Sequence, residues 1–287
     1  MNNRPKRHVH RVAAVFTALI LSGAPAWAAE EPPLIEKQDW TFGGIMGHFD
    51  RAQLRRGYAV YKNVCAACHG ARLLSYRNLG EPGGPEFSAA NVEQFAAEAQ
   101  VNDGPNDDGE MFTRPGKPSD RFVSPYPNAK AAAAAQNGAV PPDLSVIAKG
   151  RGYERQAAWY AEPLVWIGDI VTAYQEAGPD YMVALLKGYE EAPDGMQMGS
   201  GMYYNKAYPG HQIAMPNPLS DGQVEYADGV PATVDNYAKD VSAFLMWAAE
   251  PKLEERKRMG LKVLMYLLIF AGLLYLSKRA VWRNVEH

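Results

Sequence analysis

Cys65-Ala66-Ala67-Cys68-His69 holds both cysteines of this 287-residue chain, and the fold must be built around it. Two thiols three positions apart can add across the two vinyl groups of a haem. The next residue then offers an imidazole nitrogen to the iron. Other uses of the pair fit less well. A thioredoxin-like dithiol opens a helix after a strand, whereas this motif follows a helical pattern. A zinc site wants a second pair of ligands, and no further cysteine exists. A disulfide across two residues is strained and gives His69 no role. The motif therefore reads as covalent attachment of one haem c, with Cys65 and Cys68 as thioether positions and His69 as an axial ligand.

Working back from the motif, Asp50 is placed to cap a helix in which Leu54, Tyr58 and Tyr61 recur at spacings of four and three. Arg51, Arg55, Arg56 and Lys62 fall on its other faces, which is the pattern of an amphipathic helix entering a pocket. Working forward, iron needs a ligand opposite His69. His48, His211 and His287 are the remaining histidines beyond the leader. Eight methionines compete with them: Met46, Met111, Met182, Met196, Met198, Met202, Met215 and Met246. Most methionines fill cores. Met215 differs by context, lying in Pro209-Gly210-His211-Gln212-Ile213-Ala214-Met215-Pro216-Asn217-Pro218, a proline-stiffened loop that can hold a thioether against iron. His211 is its rival in the same loop.

Both ends of the chain address a membrane. Residues 1–11 are basic, Val12 to Leu21 are almost wholly apolar and Ala26-Trp27-Ala28 has the form of a cleavage site, so 1–28 reads as a secretory signal peptide. At the other end Gly260 to Leu276 carries one charge, Lys262, and as a helix would be about 26 Å long, close to the hydrocarbon thickness. Cations flank it on both sides, so charge alone does not orient it. The signal peptide does, placing the body outside and His287 inside. The expected organisation is signal peptide 1–28, extracytoplasmic haem domain 29–251, linker 252–259, transmembrane helix 260–277 and cytoplasmic tail 278–287. In a bacterium this is a single-pass protein of the inner membrane with its haem domain in the periplasm.

Charge is unevenly spread. Of 29 Lys and Arg, four lie in the first 28 residues and eight from Lys252 onward, which leaves 17 against 29 acids between them. A body at −12 makes nucleic acid an unsuitable partner and would attract a basic protein, although the same charge also serves solubility. Asp103, Asp107, Asp108 and Glu110 cluster in one turn-rich stretch, and Glu190, Glu191 and Asp194 in another. Pro and Gly together make 47 residues, which predicts long loops rather than a bundle of long helices. Ala131 to Ala135 reads as a short helix. Thr233 is placed to cap a last helix striped by Val234, Tyr237, Val241, Phe244 and Leu245 and ending at Pro251, which should pack near the first.

These residues resemble the cytochrome c1 family, the haem subunit of the cytochrome bc1 (ubiquinol–cytochrome c oxidoreductase) complex, in its bacterial form. The match runs from about Trp40 to Trp282. It is carried by Arg55-Arg56-Gly57-Tyr58 through Cys68-His69, and by Asp103-Gly104-Pro105-Asn106 through Met111 to Lys117. Asn137 to Ser145, Asp228-Gly229-Val230-Pro231-Ala232-Thr233, and Trp247 to Pro251 with Arg256 to Lys262 carry the rest.

The resemblance implies a mostly α-helical c-type haem domain with long loops and insertions, plus one C-terminal transmembrane helix. It implies that Met215 is the distal ligand, that Arg151 pairs with a haem propionate beside Tyr181, and that Pro141 and Pro142 are pocket walls. The implied partners are cytochrome b, the Rieske iron–sulfur protein as donor and a soluble c-type cytochrome as acceptor, in a dimeric complex. The chain would carry electrons within that oxidoreductase without making or breaking bonds itself. Two features depart from the family: the stretch 152–179 is longer than in mitochondrial relatives, and no cysteine is left for a bracing disulfide. A tail-anchored cytochrome c subunit of another oxidase or dehydrogenase would share the motif and the anchor but lack these blocks. A membrane-tethered thiol oxidoreductase would lack the haem.

Overall fold

The computed structural model describes residues 35–153, 160–172 and 177–283. The expected signal peptide 1–28, the last residues of the tail and parts of 152–179 lie outside them.

Helix α1 (Arg51–Asn63) starts where the sequence places it, with the Asp50 carboxylate accepting from the Ala52 and Gln53 amides. Its Leu54, Tyr58 and Tyr61 are buried. Next come a 3-10 turn (Cys65–Ala67), a second 3-10 turn (Tyr76–Gly80), helix α2 (Ala89–Ala97), strands β1 (Gln100–Asp103) and β2 (Phe112–Pro115), and helices α3 (Ala129–Ala135) and α4 (Ile147–Gly150). Helices α5 (Glu162–Thr172) and α6 (Ala177–Lys187), strands β3 (Tyr203–Tyr204) and β4 (Gln212–Ile213), then helices α7 (Val234–Ala249) and α8 (Leu253–Trp282) complete the order. The architecture is mostly helical, with two small antiparallel ladders. β1 pairs with β2 from Gln100↔Pro115 to Asp103↔Phe112, and β3 pairs with β4.

Helix α7 is the centre of the body. Thr233 caps it, accepting from the Asn236 amide. Tyr237, Val241, Phe244, Met246 and Trp247 are almost fully buried, and α1, α4 and α6 all pack on it. The α1–α7 crossing is so close that a Cβ on Gly57 would lie 2.1 Å from the Asp240 carbonyl oxygen and 2.6 Å from Phe244 Cβ. Only glycine fits there. Gly178 has the same role where α6 meets α4, since a Cβ would stand 1.7 Å from the Ala148 oxygen. Asp180, in the first turn of α6, accepts from the Gln38 amide at 3.0 Å and the Trp40 indole at 2.7 Å, which ties the incoming chain to this layer.

Residues 252–259 are not a separate linker. Helix α8 begins at Leu253, which is buried. Glu254 accepts from the Phe49 amide at 2.9 Å and from Arg51 at 2.5 and 3.1 Å, and Lys257 Nζ donates to the carbonyls of Phe42 (2.6 Å) and Gly44 (2.5 Å). Glu254 and Lys257 are turned inward to the body while Lys252, Glu255, Arg256 and Arg258 are exposed, and the helix runs unbroken for 30 residues, about 45 Å. It is apolar and long enough to cross a membrane. Helix α5, inside the longer stretch, leaves Leu164, Trp166, Ile167 and Ile170 exposed.

Candidate haem site

Helix α1 delivers the chain straight into the cysteine motif. Its last turn closes with Val64 N donating to the Val60 oxygen, and the following 3-10 turn directs the amides of Cys68 and His69 onto the one carbonyl of Cys65, at 3.1 and 2.9 Å. Both cysteines are free thiols, so no S–S bond competes for them. Burial pushes the Cys65 thiol up to about 12, with Cys68 adding to the shift.

His69 is aimed by the backbone. Its Nδ1 lies 2.8 Å from the carbonyl oxygen of Pro142, 73 residues away in sequence. Desolvation lowers the imidazole pKa, and the Pro142 bond and the Asp143 charge oppose it only in part. A neutral ring with its proton on Nδ1, given to Pro142, presents the Nε2 lone pair as a ligand. Pro142, which the resemblance implies is a pocket wall, meets His69 through its carbonyl. The loop that carries it is locked to the motif: Leu144 N donates to the Gly70 oxygen at 2.7 Å, Asp143 Oδ2 accepts from Arg72 N, and Ser145 Oγ accepts from Leu73 N.

Met215 follows β4 in the proline-rich loop, half-buried. The loop is held from both sides. Tyr189 Oη donates to the Met215 carbonyl at 3.0 Å, and beyond it Asn217 Oδ1 accepts from the buried Leu219 at 3.2 Å. His211 is occupied in the turn itself. Its φ is 55°, its amide donates to Tyr208 and its carbonyl accepts from Asn205, while Nδ1 lies 3.2 Å from the Asn205 oxygen. Arg151 ends α4, its amide donating to Ile147, and its charge bears on Tyr181, whose hydroxyl is pushed up by burial and drawn partly back by Arg151. Tyr181 itself packs with Ile35 and Ala207 in a small cluster apart from the main core.

The residues fit an attached haem: two unpaired thiols on one turn for its vinyl groups, and an imidazole with its second nitrogen engaged and a thioether on a braced loop as donors for its iron. Sequence reasoning did not find Tyr189, which fixes the Met215 backbone, or Gln136, whose Nε2 stands 3.6 Å from Cys68 Sγ. Neither has a local pattern that could reveal it.

Similarity to known proteins extends over most of the chain. The family model described as the cytochrome C1 family matches residues 40–285. The chain is 47 % identical over 284 residues to a cytochrome c1 of Blastochloris viridis, covering 98 % of this chain and 97 % of that one. It is 41 % identical to a cytochrome c1 of Rhodospirillum rubrum, covering 96 % and 97 %. It is also 52 % identical over 281 residues to a protein of Bradyrhizobium diazoefficiens named cytochrome b/c1, covering 95 % of this chain but only 40 % of that longer one.

Proposed function

Because the chain belongs to the cytochrome c1 family, we propose that it is a membrane-anchored carrier of single electrons with one covalently attached haem c. It takes electrons from a Rieske iron–sulfur protein and hands them to a soluble c-type cytochrome, beside cytochrome b in a dimeric bc1 complex. Family membership argues against a cytochrome subunit of an unrelated oxidase. The haem, when bound, supplies a site that accepts and releases one electron.

The rest falls to the chain's own residues. Cys65 and Cys68 would hold the group by thioether bonds, and His69 Nε2 and the Met215 sulfur would ligate its iron, a thioether ligand favouring the reduced state. Arg151, beside Tyr181, offers positive charge to a propionate. The observation that carries this reading is the bond from His69 Nδ1 to the Pro142 oxygen, because it sets the tautomer an axial imidazole needs. Helix α8 fits a single span of the inner membrane, with the body on the periplasmic side and residues 278–287 inside. The chain is then one subunit of a quinol–cytochrome c oxidoreductase, without bond-making chemistry of its own.

The test is simple. The purified protein should be red and low-spin and should retain its haem through acid-acetone extraction. A colourless protein with both thiols open to alkylation overturns the proposal.

A further inference from the structure

Gln136 occupies the C-terminal end of α3, and its backbone leaves it little freedom. Its amide donates to Ala132 and Ala133 at 3.0 and 3.3 Å, its carbonyl accepts from Ala139, and the amide of Gly138 returns to Ala133 at 2.8 Å. Asn137 and Gly138 turn the chain with φ of 49° and 90°. From this fixed point the half-buried side chain reaches two atoms with one nitrogen: Nε2 lies 2.7 Å from Tyr126 Oη and 3.6 Å from Cys68 Sγ. The amide nitrogen has two N–H bonds and no lone pair to accept with, so Tyr126 accepts one and the sulfur the other. A distance of 3.6 Å would be too long for an oxygen acceptor but suits the larger sulfur. Once Cys68 is a thioether it has no S–H to donate, and the reverse orientation of the amide would set its oxygen against the sulfur lone pairs, which favours the nitrogen on that side.

We infer that Gln136 is a tuning residue for the haem, acting through the second thioether sulfur, with Tyr126 holding it in place. The inference rests on the covalent attachment proposed above. A thioether keeps a lone pair after attachment and remains a weak acceptor. The positive end of the Gln136 N–H dipole, directed at a substituent of the ring, stabilises the electron-rich reduced form over the oxidised one and raises the reduction potential.

The test compares wild type with Gln136→Leu, Gln136→Glu and Tyr126→Phe in the full-length holoprotein, by potentiometric titration and resonance Raman spectroscopy. Gln136→Leu keeps the bulk and removes the donor. At fixed ambient potential its ratio of oxidised to reduced protein should rise about two- to five-fold, the range of a weak hydrogen bond. The carbon–sulfur stretch should shift as well. Gln136→Glu should lower the potential further above the titration of its carboxyl and recover part of it below, where a protonated acid can donate. Tyr126→Phe should move the potential less than Gln136→Leu. A low-spin, covalently loaded Gln136→Leu with wild-type potential and an unmoved carbon–sulfur stretch overturns the inference and leaves the proposed function standing. If Gln136→Leu does not load, Gln136→Glu decides, because a potential independent of pH across its carboxyl titration overturns the inference equally. Wild type without covalent haem would overturn the function itself.

Discussion

Arg56 reaches across from α1 and grips Asp240 of α7 with two bonds, Nε to Oδ2 at 2.7 Å and Nη2 to Oδ1 at 3.2 Å. A third bond runs from Nη1 to Asp228 at 2.7 Å. Asp240 is buried, and the pair lies beside the Gly57 contact where the two helices come closest. Burial works against the guanidinium charge, but the bonds to Asp240 and Asp228 outweigh it and hold the Arg56 pKa above its ordinary value. Removing one partner from such a pair leaves an uncompensated charge in the core, whereas removing both removes the penalty with the bond. Asp228 still pairs with Arg56 once Asp240 is changed, so Asp240→Asn should cost less than the about 3 kcal/mol of a fully broken buried pair. Arg56→Met with Asp240→Leu should cost less than either single change. Urea denaturation followed by far-UV circular dichroism measures all three, and a near-neutral Asp240→Asn would show that the crossing is held by packing alone.

Met215→Leu separates the two candidate ligands of the proline-rich loop. Leucine keeps the bulk but has no sulfur, so the iron should lose its low-spin spectrum and its potential should fall strongly. His211→Gln should leave the axial spectrum intact and weaken the turn, because the His211 backbone and ring are engaged with Asn205 and Tyr208. If instead the His211 variant loses the low-spin bands and the Met215 variant keeps them, the ligand assignment is reversed.

Helices α1 and α7 were legible in the sequence because their determinants are local. Asp50 and Thr233 accept from amides two or three residues on, and the apolar spacing marks the buried face. The cysteine–histidine motif stands out in the sequence because the chemistry proposed for it requires a fixed spacing. The orientation of His69 was not, since it depends on a backbone oxygen 73 residues away that carries no side-chain pattern. The helical character of residues 253–259 was not legible, for a related reason. Lys252 to Met259 is rich in charge, as linkers are, but Glu254 and Lys257 spend their charge on the amide of Phe49 and the carbonyls of Phe42 and Gly44. Composition cannot distinguish a charge facing water from one facing a backbone 200 residues earlier.

Those contacts mount the body on its anchor rather than tether it. Arg51 links Glu254 to Glu86 at the same point, so the first turn of α8 is joined to both the entering loop and α1. A rigid mount should give the haem a fixed tilt to the membrane plane. In oriented bilayers of the loaded, full-length chain, electron paramagnetic resonance should give sharply angle-dependent haem signals. Glu254→Ala combined with Lys257→Ala should broaden that dependence while leaving the optical spectrum unchanged. An angular spread equal to wild type would mean that α8 is positioned by something other than this clamp.

The same carboxylate makes the mount acid-sensitive. Burial alone would raise the Glu254 pKa, but the bonds from Arg51 and the Phe49 amide overcome it and set the folded value below the ordinary 4.5. Glu250, where α7 hands over to α8, is held down in the same way: burial raises it, and Arg256 and Lys149 more than compensate. A depressed folded pKa gives stability that is complete above the unfolded value and is lost as pH falls through the folded one. Thermal unfolding should thus lose midpoint steadily once pH drops below about 4.5, and Glu254→Gln should flatten part of that slope. A Glu254→Gln protein with the wild-type slope would assign the acid sensitivity elsewhere.

The acidic hairpin loop divides into a structural and a steering part. Asp103 is bonded to Arg114 across the β1–β2 pair, and Arg114 also holds Asp120, whose carboxyl it draws down to about 2 with help from the Lys117 amide. Asp103 thus serves the hairpin. Asp107, Asp108 and Glu110, at the exposed tip, remain to project negative charge into solvent. Long-range attraction of this kind acts on association rates and is screened within about 10 Å at 0.1 M salt. Replacing Asp107, Asp108 and Glu110 with Asn, Asn and Gln should slow association with a basic soluble cytochrome several-fold at low ionic strength. The difference should vanish at high salt, and the dissociation rate should change little. Asp103→Asn should instead act on hairpin stability. Stopped-flow mixing across a range of ionic strength distinguishes the two, and an association rate for the tip variant equal to wild type at every salt concentration would remove this loop from the encounter.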